Sequence, residues 1–415
     1  MAATAANDLS TVDRRMDKAR VGRSPNQSLD DLKAIRRLST TVDNLREDEM
    51  QSTYHVYHSR DNHQCVSASI DPSKERWCGP TIKEDRAERK TRRIQRKQRE
   101  DSLVPVNTTD SDDSSDSYYL HTPYLAFHDP PRVLFIGSTK YCEPAVLIHN
   151  STFWHTWKLQ LGPSIATPGL LDPRGVVSWR HNGGDSQALK ADDTKLKGYK
   201  VRTWRLWGET GKSFVHGVKA ARNTGHGPDP DILEDEIAAS RTAAKADEVV
   251  YLKWVSPFSK DTRKYHFRFH GIDFYWKGTG TVKESRTCGW FVHFNHLKLV
   301  ACLPQESKTG PTVEVCLGKY QSSVAVQKSG KLVIFDAAIA RFMAENIPSA
   351  FSHSHSDEKG GHDDEVAKVT AVKRTLLHQV IVATAMCMVI GEQQKRETLR
   401  HAIALAGGEG ANAGG

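Results

Sequence analysis

LLHQVIVATAMCMVI, the fifteen residues from Leu376 to Ile390, is apolar on every side of a helix: within it only His378, Gln379 and Thr384 are polar. A helix without a polar face has to be surrounded, by lipid or by protein. Fifteen residues rise about 22 Å, short of the ~20 residues that cross a bilayer. Lys373, Arg374, Lys395 and Arg396 bracket the segment, so a membrane anchor stays open beside a helix buried in its own protein.

What would surround it is written upstream. From residue 119 the chain reads as short strands, near Tyr119–Leu125, Arg132–Ile136, Ala145–His149, Phe153–Leu161, Tyr199–Trp207, Val249–Val255, Lys264–Phe269, Ile272–Lys277, Cys288–Phe294, Lys298–Cys302, Thr312–Leu317, Ser322–Gln327 and Leu332–Phe335. Many are joined by two to five residues rich in turn formers, as in HNST, SPFSKD and QKSGK, which suits antiparallel meanders and is too short for parallel crossovers. Gly162–Gly198 and Gly208–Asp247 read as longer insertions. About a dozen antiparallel strands close into a barrel wide enough to need a plug. The expected fold is therefore mainly β: a closed antiparallel barrel of about twelve strands over residues 119–392, wrapped around a helix at about 365–391 and followed by a flexible tail, 393–415.

One hairpin can be read to the residue. In KYHFRFHGIDFYWKGTG, Lys264–Gly280, a two-residue turn at His270-Gly271 needs positive φ, which Gly takes freely and His tolerates better than most. Phe269 then faces Ile272, Phe267 faces Phe274 and Tyr265 faces Trp276 on the core side. Outside, Arg268 meets Asp273, His266 meets Tyr275 and Lys264 meets Lys277. Two lysines face to face are unfavourable unless an anion or a nearby acid offsets them.

This layout, and FHGIDFYWKGTGTV in particular, resembles the tubby C-terminal-like superfamily of tubby proteins, LURP-one-related proteins and phospholipid scramblases, and is similar to the G-x-x-Y-x-W-K-G hairpin of uncharacterised fungal tubby-like proteins. The resemblance covers about residues 119–392 and implies a barrel around a central helix. It also implies a non-catalytic module for anionic membrane surface, with phosphoinositide headgroups as the guessed partner. Lys264, Lys277, Lys283, Arg286 and Lys298, in and around the hairpin, are the candidate lipid contacts; Arg268 is assigned to Asp273.

Residues 1–118 read as a disordered arm, because their scattered apolar residues could not bury enough surface to offset the ordering entropy. The arm holds 21 Lys plus Arg and 21 Asp plus Glu, so the net charge of +8 belongs to the rest. KEDRAERKTRRIQRKQRE, Lys83–Glu100, precedes the acidic DSDDSSDS, Asp110–Ser117. Two solvated patches that attract one another account for this; a nuclear import signal, or an arm for nucleic acid or a protein partner using Lys83–Arg99, is the sharper reading. Ser24 in RSP, Ser39 in RRLST, and Ser111, Ser114 and Ser115 in the acidic run are candidate phosphorylation sites.

Enzyme chemistry finds no carrier in the sequence. WGETGKS, Trp207–Ser213, lacks the glycine of a phosphate-binding loop at Leu206, and no hydrolase signature occurs. No cofactor or metal is expected, since the His/Asp-rich loop SHSHSDEKGGHDDE has no rigid frame. No secretory layout opens the chain, and the seven cysteines lack disulfide or zinc spacing, which suggests a reducing intracellular setting. The expected location is cytoplasmic and peripheral to membrane, or nuclear.

Overall fold

The computed structural model describes residues 50–76 apart from 60 and 61, six positions between 83 and 94, residues 116–125, 128–150, 156–200 apart from 173, 242–255, 264–278, 296–303, 313–347 apart from 324 and 326, and 371–411. Its strands are β1 Ser52–His58, β2 Gln64–Ser67, β3 Ser117–His121, β4 Arg132–Ile136, β5 Glu143–Asn150, β6 Thr156–Leu161, β7 Glu248–Trp254, β8 Lys264–Phe269, β9 Ile272–Gly278, β10 His296–Leu303, β11 Val313–Ser322 and β12 Lys328–Ile334. Helices are α1 Ser186–Ala191, α2 Asp336–Asn346 and α3 Leu376–Ala411. Each strand pairs antiparallel with the next, and β12 pairs with β1 to close a twelve-stranded barrel.

The β8–β9 hairpin forms in the register that its turn dictates. His270 sits at φ 46° and Gly271 at φ 80°, the two positive values that a tight hairpin turn requires. All six cross-strand pairs follow, from Phe269 opposite Ile272 to Lys264 opposite Lys277. Tyr265, Phe267, Phe269, Phe274 and Trp276 point inward and are buried.

The space enclosed by the strands is filled by α3. Leu377, Val380 to Ala383 and Ala385 to Ile390 form one core with the inward residues of the barrel, among them Tyr54, Leu134, Ile148, Trp157, Leu252, Phe267, Trp276 and Leu299. The three polar residues of this stretch are each accommodated. Thr384 accepts from the Trp276 indole N–H at 3.1 Å and donates to the Ile381 carbonyl at 3.0 Å. His378 meets the Tyr118 hydroxyl at 3.0 Å. Gln379 donates to the Arg374 carbonyl at 3.4 Å. At Gly391 helix and wall touch: an added Cβ would lie 2.9 Å from the Trp157 ring. Among the described residues no helix is long and apolar enough to cross a membrane.

The helix enters at one end of the barrel and leaves at the other. His378 lies near Tyr118 of β3 and Asp336 of α2, at the end that holds the β8–β9 turn. Gln393 and Gln394 reach Gln64, His58 and Asn150 at the opposite end. Outside the barrel, a second small core covers β4 and β5, where Val133, Phe135 and Leu147 pack against Ile165, Leu170, Val177, Leu196 and Ala246. The insertion after β6 thus serves as a cover, which explains why β4 and β5 are apolar on both faces.

Four expectations are corrected. The barrel begins at Ser52, so residues 1–118 are not wholly an arm: β1 and β2 lie within them. Tyr54, Val56 and Val66 face the core, while the outward Tyr57 is held by its hydroxyl bond to Glu75 at 2.9 Å, with Lys328 of β12 on the same carboxylate. Next, β11 is one strand through Ser322 rather than two, and part of the stretch read as strand Ser322–Gln327 is the link to β12. The last helix runs on to Ala411 where a flexible tail was expected. Arg268 does not pair with Asp273; its Nε donates to the Gly271 carbonyl at 3.1 Å, and Asp273 takes His266 at 2.9 Å. The strands expected at Tyr199–Trp207 (beyond residue 200) and at Cys288–Phe294, the WGETGKS loop and the His/Asp-rich loop lie outside the described residues.

Since barrel and helix share one core, removal of the chain from Leu376 should leave insoluble or molten protein. Val382→Asp should act similarly by burying an unpaired charge, and Trp276→Ala should cost about 3–5 kcal/mol in urea unfolding. A monomeric, cooperatively folding product without residues 376–415 would contradict this.

Candidate functional site

Strand register places the candidate lysines in one row on the outer surface. Lys264 of β8 is opposite Lys277 of β9, Lys277 is opposite Lys298 of β10, and Lys298 is opposite Lys319 of β11. One layer along the strands, His266, Tyr275, Val300 and Cys316 make a second row, and Arg268, Asp273, Cys302 and Glu314 a third. These four strands therefore carry a cationic edge, an aromatic and apolar centre and a mixed-charge border.

The face-to-face lysines are partly relieved within the protein. Their ammonium groups lie 4.3 Å (Lys264) and 5.3 Å (Lys277) from the centre of the Tyr275 ring, where the π face attracts cations. Lys277 also makes an ion pair with Glu314. Glu314 is thus the nearby acid that the sequence left unspecified. The pair is partly exposed, with 31% of the Lys277 side chain and 42% of the Glu314 side chain accessible, so water screens it and its contribution to stability is small. Lys319 lies 5.3 Å from the Phe335 ring and is exposed. Behind the row, burial pushes up the pKa of the Tyr275 hydroxyl and of the Cys302 thiol, Lys277 acting against both shifts.

Of the residues singled out from sequence, Lys264, Lys277 and Lys298 come together; Lys283 and Arg286 lie outside the described residues, as do Ser24, Ser39, Ser111, Ser114 and Ser115. Sequence reasoning missed Lys319. It falls between the two short strands into which β11 was divided, although the inward Leu317 and Tyr320 flank it. In the basic run, Lys83, Arg86, Ala87, Lys90, Thr91 and Ile94 are helical and exposed.

A second polar cluster lies inside the barrel near its other end. Tyr118, His378 and Asp336 are all buried. Burial holds the proton on Tyr118, raising its pKa, and its hydroxyl shares a hydrogen bond with His378 Nδ1 at 3.0 Å. His378 Nε2 faces Asp336 Oδ1 at 3.7 Å. Burial lowers His378 to about 3, with Lys373 adding to the effect. Burial raises Asp336 to about 6, against the opposing Ser52 hydroxyl and Lys373. Lys373 itself is tied to Asp116 at 2.7 Å. With all three side chains buried, the cluster is part of the core.

No family model, curated protein or solved structure matches the chain.

The two buried groups give opposite pH dependences. The lowered His378 contributes stability that is present above its ordinary pKa and lost as the pH falls toward about 3. The raised Asp336 contributes stability that is present below its ordinary 3.8 and lost as the pH rises through about 6. Asp336→Asn removes only the second. Its stability relative to the parent should therefore rise by up to about 3 kcal/mol between about pH 4 and pH 7 in urea unfolding. A difference that stays flat over that range would show that Asp336 is solvated or otherwise compensated.

Proposed function

We propose that the protein is a tubby-like, non-catalytic binding module for anionic membrane surface, with phosphoinositide headgroups preferred and the lysine row as its contact. The observation that carries this reading is the register, which aligns Lys264, Lys277, Lys298 and Lys319 on four neighbouring strands. Aligned like charges favour neither folding nor solubility more than scattered ones would. They do concentrate positive potential along one edge, where anionic headgroups would supply the counter-charge. The mixed barrel and helix layout is consistent with the tubby-like resemblance, and a peripheral, cytoplasmic-face location follows from the proposed ligand. A second reading, in which the basic run from Lys83 engages nucleic acid or a protein partner, draws on the exposed helical positions there.

Glu314 makes the proposal testable in both directions. Lys264→Gln with Lys298→Gln should lower affinity for phosphatidylserine- or phosphoinositide-containing vesicles by roughly thirtyfold at low salt, at about 1 kcal/mol per basic residue, and the loss should shrink as salt is added. Glu314→Gln frees Lys277 and should raise the same affinity by up to about fivefold. Neither variant should change the melting temperature appreciably, because all three side chains are on the outer face. Vesicle sedimentation with unchanged affinity in the double variant would make the row a solvated face, and nucleic-acid or partner binding by the full chain that is lost on Lys83→Gln with Arg86→Gln and Lys90→Gln would favour the second reading.

A further inference from the structure

We propose that the mouth of the barrel through which α3 leaves holds a site for a small oxyanion of the phosphate class, built from Arg132, Trp157 and Asn150. This inference is separate from the lysine row, which lies outside the barrel.

The alternation of β4 points Arg132 inward. Leu134, two residues on, belongs to the central core, whereas Val133 and Phe135 belong to the outer one. The guanidinium feels Cys387 on the central helix and Asp129, yet among the described residues it makes no side-chain hydrogen bond or ion pair. Asp129 is exposed. Burial pulls the Arg132 pKa below its ordinary value, but arginine stays protonated in proteins, so the site keeps its charge. Arg132 is half-buried, and a cation that loses hydration without gaining a partner is destabilising. An anion is the economical remedy.

Its neighbours offer matching chemistry. Arg132 is opposite Ile148 of β5; the next inward position along β5 is Asn150, whose partner across the ladder is Trp157 of β6. Among the described residues the buried Trp157 indole N–H has no acceptor, and the buried Asn150 side-chain oxygen has no donor. Asn150 Nδ2 donates to Gln394 at 3.4 Å, and since amide orientation is assigned from such contacts, either end of Asn150 can turn to a ligand. On the helix, Cys387, Gly391 and Gln394 recur at three- and four-residue spacing, so they face this sector together. The Cys387 thiol is kept protonated by burial and adds no competing charge. A guanidinium and an indole N–H, neither with an acceptor among the described residues, thus line one inward sector of the mouth on β4 and β6, where an oxyanion bound between them could accept from both.

The experiment uses the full chain. The Trp157 indole resonance, assigned with Trp157→Phe, is followed by NMR during titration with inorganic phosphate against chloride at matched ionic strength, alongside thermal melts. Phosphate should shift that resonance saturably and raise the melting temperature. Arg132→Met should melt no lower than the parent in chloride, because it removes an uncompensated charge, and should bind phosphate at least about tenfold more weakly. The Lys264→Gln, Lys298→Gln protein should keep the full response, which separates this site from the lysine row. Titration with vesicles of phosphatidylcholine and phosphatidylserine forms a second arm: a response to phosphate alone identifies a soluble oxyanion, and a response to vesicles identifies a headgroup, the site standing in either case. Absence of any Trp157 shift in both arms would overturn the proposal and leave the mouth to water. So would an Arg132→Met protein that retains the response or melts lower in chloride.

Discussion

A closed barrel of twelve strands encloses more volume than its own inward side chains fill, and a helix apolar all round cannot stand in water. In this protein each solves the other's problem. Leu377 to Ile390 meet Tyr54, Trp157, Phe267 and Trp276 in one core, and the polar side chains within that stretch of helix are each given a partner. Thr384 has Trp276, and His378 has Tyr118. Gly391 is small because Trp157 stands against it. The strands and the helix are therefore one cooperative unit, although the residues involved are separated by more than two hundred positions in places.

Because the inside is filled by its own chain, recognition of a large partner falls to the outer face and the two ends. The outside is not uniform. β4 and β5 are apolar and covered by the insertion after β6, while β8 to β11 carry the lysine row. The row is tempered by Tyr275 beneath two of its members and by Glu314 at one, an arrangement that limits self-repulsion in the free protein while leaving cationic groups at the surface. Arg132 at the mouth is the counterpart on the inward side, half-buried and without an ion-pair partner among the described residues.

The parts of this structure that could be read from sequence are those fixed by local chemistry. The β8–β9 register follows from a His-Gly turn and strict alternation, and β4 is bounded as read, at Arg132 and Ile136. The need to surround α3 followed from its lack of a polar face. What could not be read depended on distant partners. β1 and β2 sit in a charged stretch, and their inward Tyr54, Val56 and Val66 become recognisable only once β12 and β3 lie beside them. Gly318 made β11 look interrupted, yet it stays within the strand, where an added Cβ would lie 2.8 Å from the Val333 carbonyl oxygen. That misreading hid Lys319. The alternation in Ser322–Gln327 resembles a strand, but no neighbouring edge is left for it to pair with. Arg268 and Asp273 were matched by register, whereas His266 is the neighbour that reaches the carboxylate.

Native-state hydrogen exchange tests the mutual burial of helix and barrel most directly. If the helix is the barrel's core, the amides of Leu377 to Ile390 should exchange only through global unfolding, with the same free energy and denaturant dependence as the inward strands β6 and β9. Exchange of the helix through an opening of its own, while those strands stay protected, would contradict it.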